Sequence, residues 1–333
     1  MSRTSRPLEG KRVIVTGAGG FIGSRLCERL IESGALVRAY VHYNARGSWG
    51  WLDESPAASE MEVILGDVRD VESIDQAISG TEIVFHLAAL IGIPYSYRAP
   101  RSYVHTNVEG TLNVLQAARN HAVQRVIHTS TSEVYGTAQY VPIDEVHPLQ
   151  GQSPYAASKI GADKLAESFH LSFDLPVVTV RPFNTYGPRQ SMRAILPTIV
   201  AQCLSADTLK LGNLTPVRDL NYVDDTADGF VAAALADDEA LGCTINLGTG
   251  RGVSIGDLAK TVMAKVGRQI DLVQDEQRMR PSGSEVERLI ADNALAEQLL
   301  KWHPRVPLED GVDRTIDWVK KHLKEYRTNR YTV

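Results

Sequence analysis

The stretch Val13-Ile-Val-Thr-Gly-Ala-Gly-Gly-Phe-Ile-Gly23 restricts the fold more than any other part of the chain. An apolar run, glycines at Gly17, Gly20 and Gly23, and an apolar-periodic continuation through Ile22, Leu26 and Leu30 predict a strand, a tight turn and a helix. Such a turn presents backbone N–H groups and the positive end of a helix dipole, a seat for a dinucleotide pyrophosphate, with Phe21 and Ile22 opening the helix. The spacing G-x-x-G-x-x-G differs from the G-x-G-x-x-G of many dinucleotide folds, so the flanking strand and helix carry the inference.

Strand-like runs at 12–16, 36–41, 62–65, 83–87, 125–129 and 177–181 alternate with helical patterns, among them two long ones at 102–121 and 155–173. Alternation of this kind predicts an α/β chain with right-handed crossovers. The expected architecture is a Rossmann-type doubly wound parallel sheet over residues 1–182, followed by a smaller C-terminal substrate-binding domain mainly over 183–330. Ile245-Asn-Leu-Gly-Thr-Gly250 reads as a strand returning to the main sheet, and residues 308–323 as a final helix. The tails before Lys11 and after Lys324 are expected to be mobile.

The 333 residues, 43% hydrophobic and 23% charged, have the balance of a globular protein with room for such a core. No apolar run reaches the roughly 20 residues of a membrane span, and the polar N-terminus lacks a signal-peptide core. A cytoplasmic protein without membrane contact is expected. The net charge of −5 leaves no footprint for nucleic acid. Cys27, Cys203 and Cys243 have neither metal nor disulfide spacing, so they are expected as buried small hydrophobes and no metal is foreseen.

A second constellation lies in mid-chain. In Ser153-Pro-Tyr-Ala-Ala-Ser-Lys159, Ser153 suits an N-cap and Pro154 the first helical position, which places Tyr155 and Lys159 on one helix face. A tyrosine titrates near ~10 and a neighbouring cation favours its phenolate, so Tyr155 is a candidate base. Upstream stands Thr129-Ser-Thr-Ser-Glu133. Together with the glycine turn, these segments resemble the extended short-chain dehydrogenase/reductase family, specifically its nucleotide-sugar epimerases and dehydratases. The resemblance runs from about Lys11 to about Lys320.

That resemblance implies a homodimer built on the two long helices, an NAD or NADP cofactor kept through the catalytic cycle, and a nucleotide-diphosphate sugar as substrate. It implies Tyr155 as the acid–base residue, Lys159 on the nicotinamide ribose and the Thr131 hydroxyl sharing the proton. Asp67 and Val68 match the adenine contact, while Leu87, Ala88 and Ala89 match the small stretch lying against the cofactor. The second strand ends in Tyr40-Val-His-Tyr-Asn-Ala-Arg46, with no acid to hold a ribose 2′-hydroxyl. His42 or Arg46 suits a 2′-phosphate instead, and the choice between NAD and NADP stays open.

Glu133 bears on the reaction. Simple 4-epimerases generally have small or neutral residues there, because returning a hydride to the other face of C4 needs no second base. Elimination does need one: once C4 is a ketone, a carboxylate can take the acidified C5 proton as the C6 hydroxyl leaves. The Thr-Ser-Glu form resembles GDP-mannose 4,6-dehydratases and bacterial N-acetylhexosamine 4,6-dehydratases, with Glu133, Ser132 or water protonating the leaving group. Ser48-Trp-Gly-Trp-Leu-Asp53 also resembles the N-acetylhexosamine group. The expectation is a nucleotide-sugar 4,6-dehydratase, ahead of a 4-epimerase, a glucuronate decarboxylase and a non-enzymatic dinucleotide sensor. By the same resemblance Asn184, Arg189, Arg218 and Arg280 contact the substrate, chiefly its diphosphate, and Tyr95 packs on the sugar. Asp224 and Asp225 read as helix caps.

Overall fold

Period-two and continuous apolar runs in the first half assemble into one parallel sheet, seen in a computed structural model that describes residues 6–326. Its first strands are β1 (Arg12–Thr16), β2 (Leu36–His42), β3 (Met61–Gly66), β4 (Ile83–His86), β5 (Arg125–Thr129) and β6 (Val177–Pro182). Three shorter strands follow, β7 (Asn184–Tyr186), β8 (Thr208–Leu211) and β9 (Val217–Tyr222), before β10 (Thr244–Leu247) returns to pair with β6. The seven strands lie in the order β10-β6-β5-β4-β1-β2-β3. Strand order therefore reverses between β1 and β4, and the crevice beyond their carboxyl ends is where open sheets of this type bind ligands.

Helices cover both faces, the Rossmann arrangement. The helix α1 (Phe21–Glu32) buries Leu26, Cys27 and Leu30, and α2 (Val71–Ile78) is capped by the Asp70 carboxylate, which accepts the Ser73 N–H. Beyond β4 the chain forms α3 (Ile93–Arg98), α4 (Pro100–Tyr103) and α5 (Gly110–Asn120). Between the last two, a π-helical turn at Val104–Glu109 interrupts the single helix expected from the sequence. The long α6 (Pro154–Phe173) starts as expected, with the Ser153 hydroxyl accepting the Ala156 N–H at 3.1 Å.

A second apolar cluster forms after β6, where α7 (Ile195–Ser205) contributes Leu196 and Ile199. By contrast, α8 (Val223–Leu235) packs on α1, with Arg25 paired to Asp224 at 2.7 Å. Asp224 and Asp225 are not caps: Asp225 instead accepts the Val306 N–H at 2.9 Å. The strands β11 (Gly252–Ser254), β12 (Asp271–Gln274) and β13 (Arg288–Leu289) complete a four-stranded sheet with β7 and β9 and a two-stranded one with β8. Leu258 of α9 (Ile255–Val266) joins the second cluster, α10 (Ala294–Leu300) packs beside β10, and Val312 and Ile316 of α11 (Leu308–Lys321) close the second cluster.

The expected tails are shorter than the sequence suggested. Leu8 is 2% exposed and its N–H reaches Ser33 O, while the Tyr326 hydroxyl donates to Gln190 O at 3.1 Å, so apolar burial anchors both ends. The remainder of the two tails, 1–5 and 327–333, lies outside the described residues. Cys27 and Cys203 are buried and Cys243 is partly so. No helix among the described residues is long and apolar enough to cross a membrane. Ile245 on the returning strand is fully buried; Ile245→Ala is expected to lower unfolding free energy by about 2–5 kcal/mol, read from the denaturant midpoint.

Candidate active site

The glycine turn is shaped by close backbone approach. Gly17 has φ +72°, and a Cβ there would lie 2.9 Å from Ala88 N. At Gly23 a Cβ would meet Gly17 O at 2.2 Å, which is why the helix can begin so near the turn. The Thr16 hydroxyl accepts the N–H groups of Leu87 and Ala88, each at 3.1 Å, and pins the segment through Ala89 beside the glycines. Gly20 occupies the N-cap of α1; no side chain caps that helix and its first turn, with Phe21 and Ile22, holds no acid. An uncapped helix end above a side-chain-free cradle fits a dinucleotide pyrophosphate.

Around this cradle, Val68 is buried against Gly110. Asp67 is gripped by Arg69 at 2.5 Å and lies 3.8 Å from His42, and the guanidinium holds its carboxyl below the usual range. His42 and Arg46 are exposed at the rim, and Asn44 organises its own loop by bonding Ser48 O at 2.7 Å. The Trp49–Asp53 insert is not free: Trp51 N–H donates to Gly19 O at 3.0 Å, and the Trp51 ring meets Trp318 of α11 edge-on at 5.8 Å.

Across the crevice, Tyr155 and Lys159 are 7% and 4% exposed. Lys159 Nζ donates to Thr129 O at 2.5 Å. Burial brings the ammonium down to about 8, against the opposing pull of Asp163. Burial pushes the Tyr155 phenol above the ordinary range and the charge of Glu133 adds to that, while the neighbouring Thr131 hydroxyl acts the other way. Protein groups thus outweigh the phenolate stabilisation expected from Lys159; an added cation beside the ring is what would bring Tyr155 down.

Sequence reasoning missed Asn107. It is 1% exposed within the π-helical turn, accepts Leu90 N–H at 2.8 Å, and donates to Leu90 O and to Ser158 Oγ, each at 2.9 Å. A single amide therefore locks the loop after β4 to the helix carrying Tyr155 and Lys159. The available signal was an asparagine inside the helical pattern at 102–121, off the stripe of Val104, Val108 and Leu112.

Glu133 sits in the tight turn Ser132–Tyr135, its N–H 3.3 Å from Thr131 Oγ1 and its side chain 11% exposed. Arg280 lies 4.0 Å from Glu133 and 3.9 Å from Glu285, which is itself 3.7 Å from the buried Arg218. Arg280 Nη1 and Asn184 Oδ1 are buried without a hydrogen-bond partner among the described residues. Tyr95 is 40% exposed on α3, and the nearby Tyr97 hydroxyl is 2.6 Å from Ser284. Arg189 departs from expectation: it bonds Glu28 at 2.7 Å and Ser24 at 3.2 Å, so its guanidinium secures α1 and does not join Arg218 and Arg280.

A crevice with a glycine turn on one side and a buried Tyr/Lys pair on the other is the layout of an extended short-chain dehydrogenase/reductase. The chain belongs to the GDP-mannose 4,6 dehydratase family, whose pattern matches residues 14–315. It is 32% identical over 316 residues to a UDP-glucose 4-epimerase of Mycolicibacterium smegmatis, covering 93% of this chain and 98% of that one. It is also 32% identical over 326 residues to a dTDP-glucose 4,6-dehydratase of Streptomyces antibioticus, covering 96% and 93%. The solved structure of an NAD-dependent NDP-hexosamine 5,6-dehydratase of tunicamycin biosynthesis superposes with a TM-score of 0.82 at 29% identity, covering 93% and 97%. The family is that of NAD-dependent nucleotide-sugar epimerases and dehydratases, and identity alone does not divide the two reactions.

Because Gly17 combines a left-handed backbone with contact to Ala88 N, Gly17→Ala is expected to weaken dinucleotide binding at least about tenfold, equivalent to ~1.4 kcal/mol. Titration of bound NAD by calorimetry checks this; unchanged affinity would show that the turn does not contact the dinucleotide.

Proposed function

We propose that the chain is a nucleotide-sugar 4,6-dehydratase acting on an N-acetylhexosamine carried by a nucleoside diphosphate. The observation that carries this reading is Glu133, a nearly buried carboxylate beside Thr131 whose charge is felt at the Tyr155 phenol. A 4-epimerase has no use for a second base at that place. The similarity to an NDP-hexosamine dehydratase supports the sugar class, and the NAD dependence of that protein supports NAD over NADP.

Gly17, Gly20, Phe21, Ile22 and Gly23 would hold the pyrophosphate, with Asp67 and Val68 toward the adenine and Leu87, Ala88 and Ala89 along the other edge. The dinucleotide would supply hydride acceptance from C4 and hydride return to C6. Tyr155, with the Thr131 hydroxyl beside it, takes the C4 hydroxyl proton and gives it to C5 when the hydride returns to C6, while Lys159 would orient the ribose. Glu133 then removes the C5 proton made acidic by the C4 ketone. Glu133 passes that proton to the departing C6 hydroxyl, which leaves as water, with Ser132 beside it in the same turn. Asn184, Arg218 and Arg280 bind the diphosphate, for which a planar guanidinium is well shaped. Tyr95 faces the sugar. Exposed Val104, Leu112, Leu171 and Phe173 on the α5 and α6 side support a homodimer across those helices.

Incubation with UDP-, GDP-, CDP- and dTDP-linked N-acetylhexosamines and hexoses, read by product mass, is expected to show loss of one water. An unchanged mass with altered retention would favour the 4-epimerase, and loss of carbon dioxide from a glucuronate would favour the decarboxylase. With the dehydrated substrate in hand, Glu133→Gln is expected to slow elimination roughly 10²–10⁴-fold while the absorbance of reduced cofactor still appears. Dehydration at the parent rate in that variant would remove Glu133 from the mechanism.

A further inference from the structure

One helical turn beyond Lys159 on α6, Asp163 is 6% exposed and has no part in the chemistry above. Its carboxylate accepts from His128 Nε2 at 3.0 Å, Ser130 Oγ at 2.5 Å and Arg181 Nη2 at 2.9 Å. Arg181 also donates to Ser130 Oγ at 3.2 Å and to the Tyr135 hydroxyl at 2.8 Å. Three donors thus fix the carboxylate, and Ser130 and Tyr135 hold its guanidinium partner, in the floor beneath the Tyr/Lys pair.

The other groups around Lys159 supply little opposing charge. From β5 come the Thr129 carbonyl and His128; from β4 comes His86, whose ring centre is 6.0 Å from that of His128. Thr111 gives its proton to Asn107 O at 2.6 Å, so it accepts from His86 Nε2, and Thr16 donates to Nδ1 at 2.8 Å; His86 is held as a neutral imidazole. Burial pushes both histidines below their ordinary range. Tyr155 on α6 and Arg181 on β6 complete the surroundings, with Glu133 beyond the phenol.

We propose that Asp163 is a positioning residue that keeps the buried Lys159 protonated, and that Arg181 is the counterweight limiting how strongly it does so. The proposal rests on Tyr155 and Lys159 being the acid–base pair, but not on the sugar or on elimination. Asp163 is the carboxylate that opposes the burial of Lys159, whereas Arg181 shares the same carboxylate and draws its field away.

Lysine labelled isotopically at Cε, with the Lys159 signal assigned by its loss in Lys159→Met, reports this charge directly by NMR in the resting protein. In the parent chain the signal is expected to titrate near 8. Asp163→Asn is expected to lower that midpoint by at least about one pH unit, and Arg181→Gln to raise it. Because Lys159 acts as a cation, the alkaline limb of turnover should move the same way: down in the first variant, up in the second. Ser130→Ala, which removes a hydrogen bond and no charge, should leave the midpoint in place. A midpoint unchanged in Asp163→Asn, or moved as far by Ser130→Ala, overturns the proposal. If Asp163→Asn does not fold, a midpoint that fails to rise in Arg181→Gln does so. Failure of every sugar substrate would leave this titration untouched.

Discussion

Contact between the backbone of Ala88 and Gly17 is the constraint on which the site depends. It requires β1 and β4 to be direct neighbours, and their register sets Thr16 opposite His86. From there a polar ladder crosses the core: Thr16 to His86, His86 to Thr111, Thr111 to the Asn107 carbonyl, and the Asn107 amide to Ser158 on α6. Each rung is buried, where an unmade hydrogen bond costs about 1–3 kcal/mol. The crevice wall carrying the glycine turn and the helix that carries Tyr155 and Lys159 are therefore held in register by side chains none of which touches substrate in the proposed chemistry.

Charge is arranged in two tiers around that crevice. Beneath it, Lys159, Asp163 and Arg181 are all at most 6% exposed, so their balance is set by one another and little by solvent. Above it, Glu133, Arg280, Glu285 and Arg218 form a looser set at 3.7–4.0 Å, without close hydrogen-bonded pairing. A tightly paired lower tier suits groups whose protonation must be held constant. The looser upper tier suits the proposed diphosphate site, because little hydrogen bonding would have to be broken for its groups to exchange partners.

Local pattern made much of this legible. The β1 and β5 boundaries, the start of α6 and the return of a strand near Ile245 follow from apolar runs and capping residues that act within a few positions. What could not be read depends on distant partners. Arg189 looks like a phosphate ligand in its own segment, but Glu28 and Ser24, more than 160 residues earlier, take its guanidinium. Asp224 has the spacing of a cap, yet Arg25 competes for it. The anchoring of Leu8 and Tyr326 similarly requires surfaces assembled from remote segments, and the π-helical turn is selected by the Asn107 contacts and not by propensity.

The same distinction explains why overall similarity leaves the reaction undecided. An epimerase and a dehydratase are each 32% identical to this chain over more than nine-tenths of its length, so the likeness is spread over most of the chain and is common to both reactions. The difference in chemistry requires only one additional base over C5. In the proposed reading Glu133 is that base, held in a short turn at the end of β5 where its N–H lies 3.3 Å from Thr131 Oγ1. Because the Thr131 hydroxyl bonds the Glu133 N–H and lies beside the Tyr155 phenol, the proposed oxidation and elimination would share one local backbone segment. A change of reaction can then arise there without disturbing the ladder that holds the crevice together.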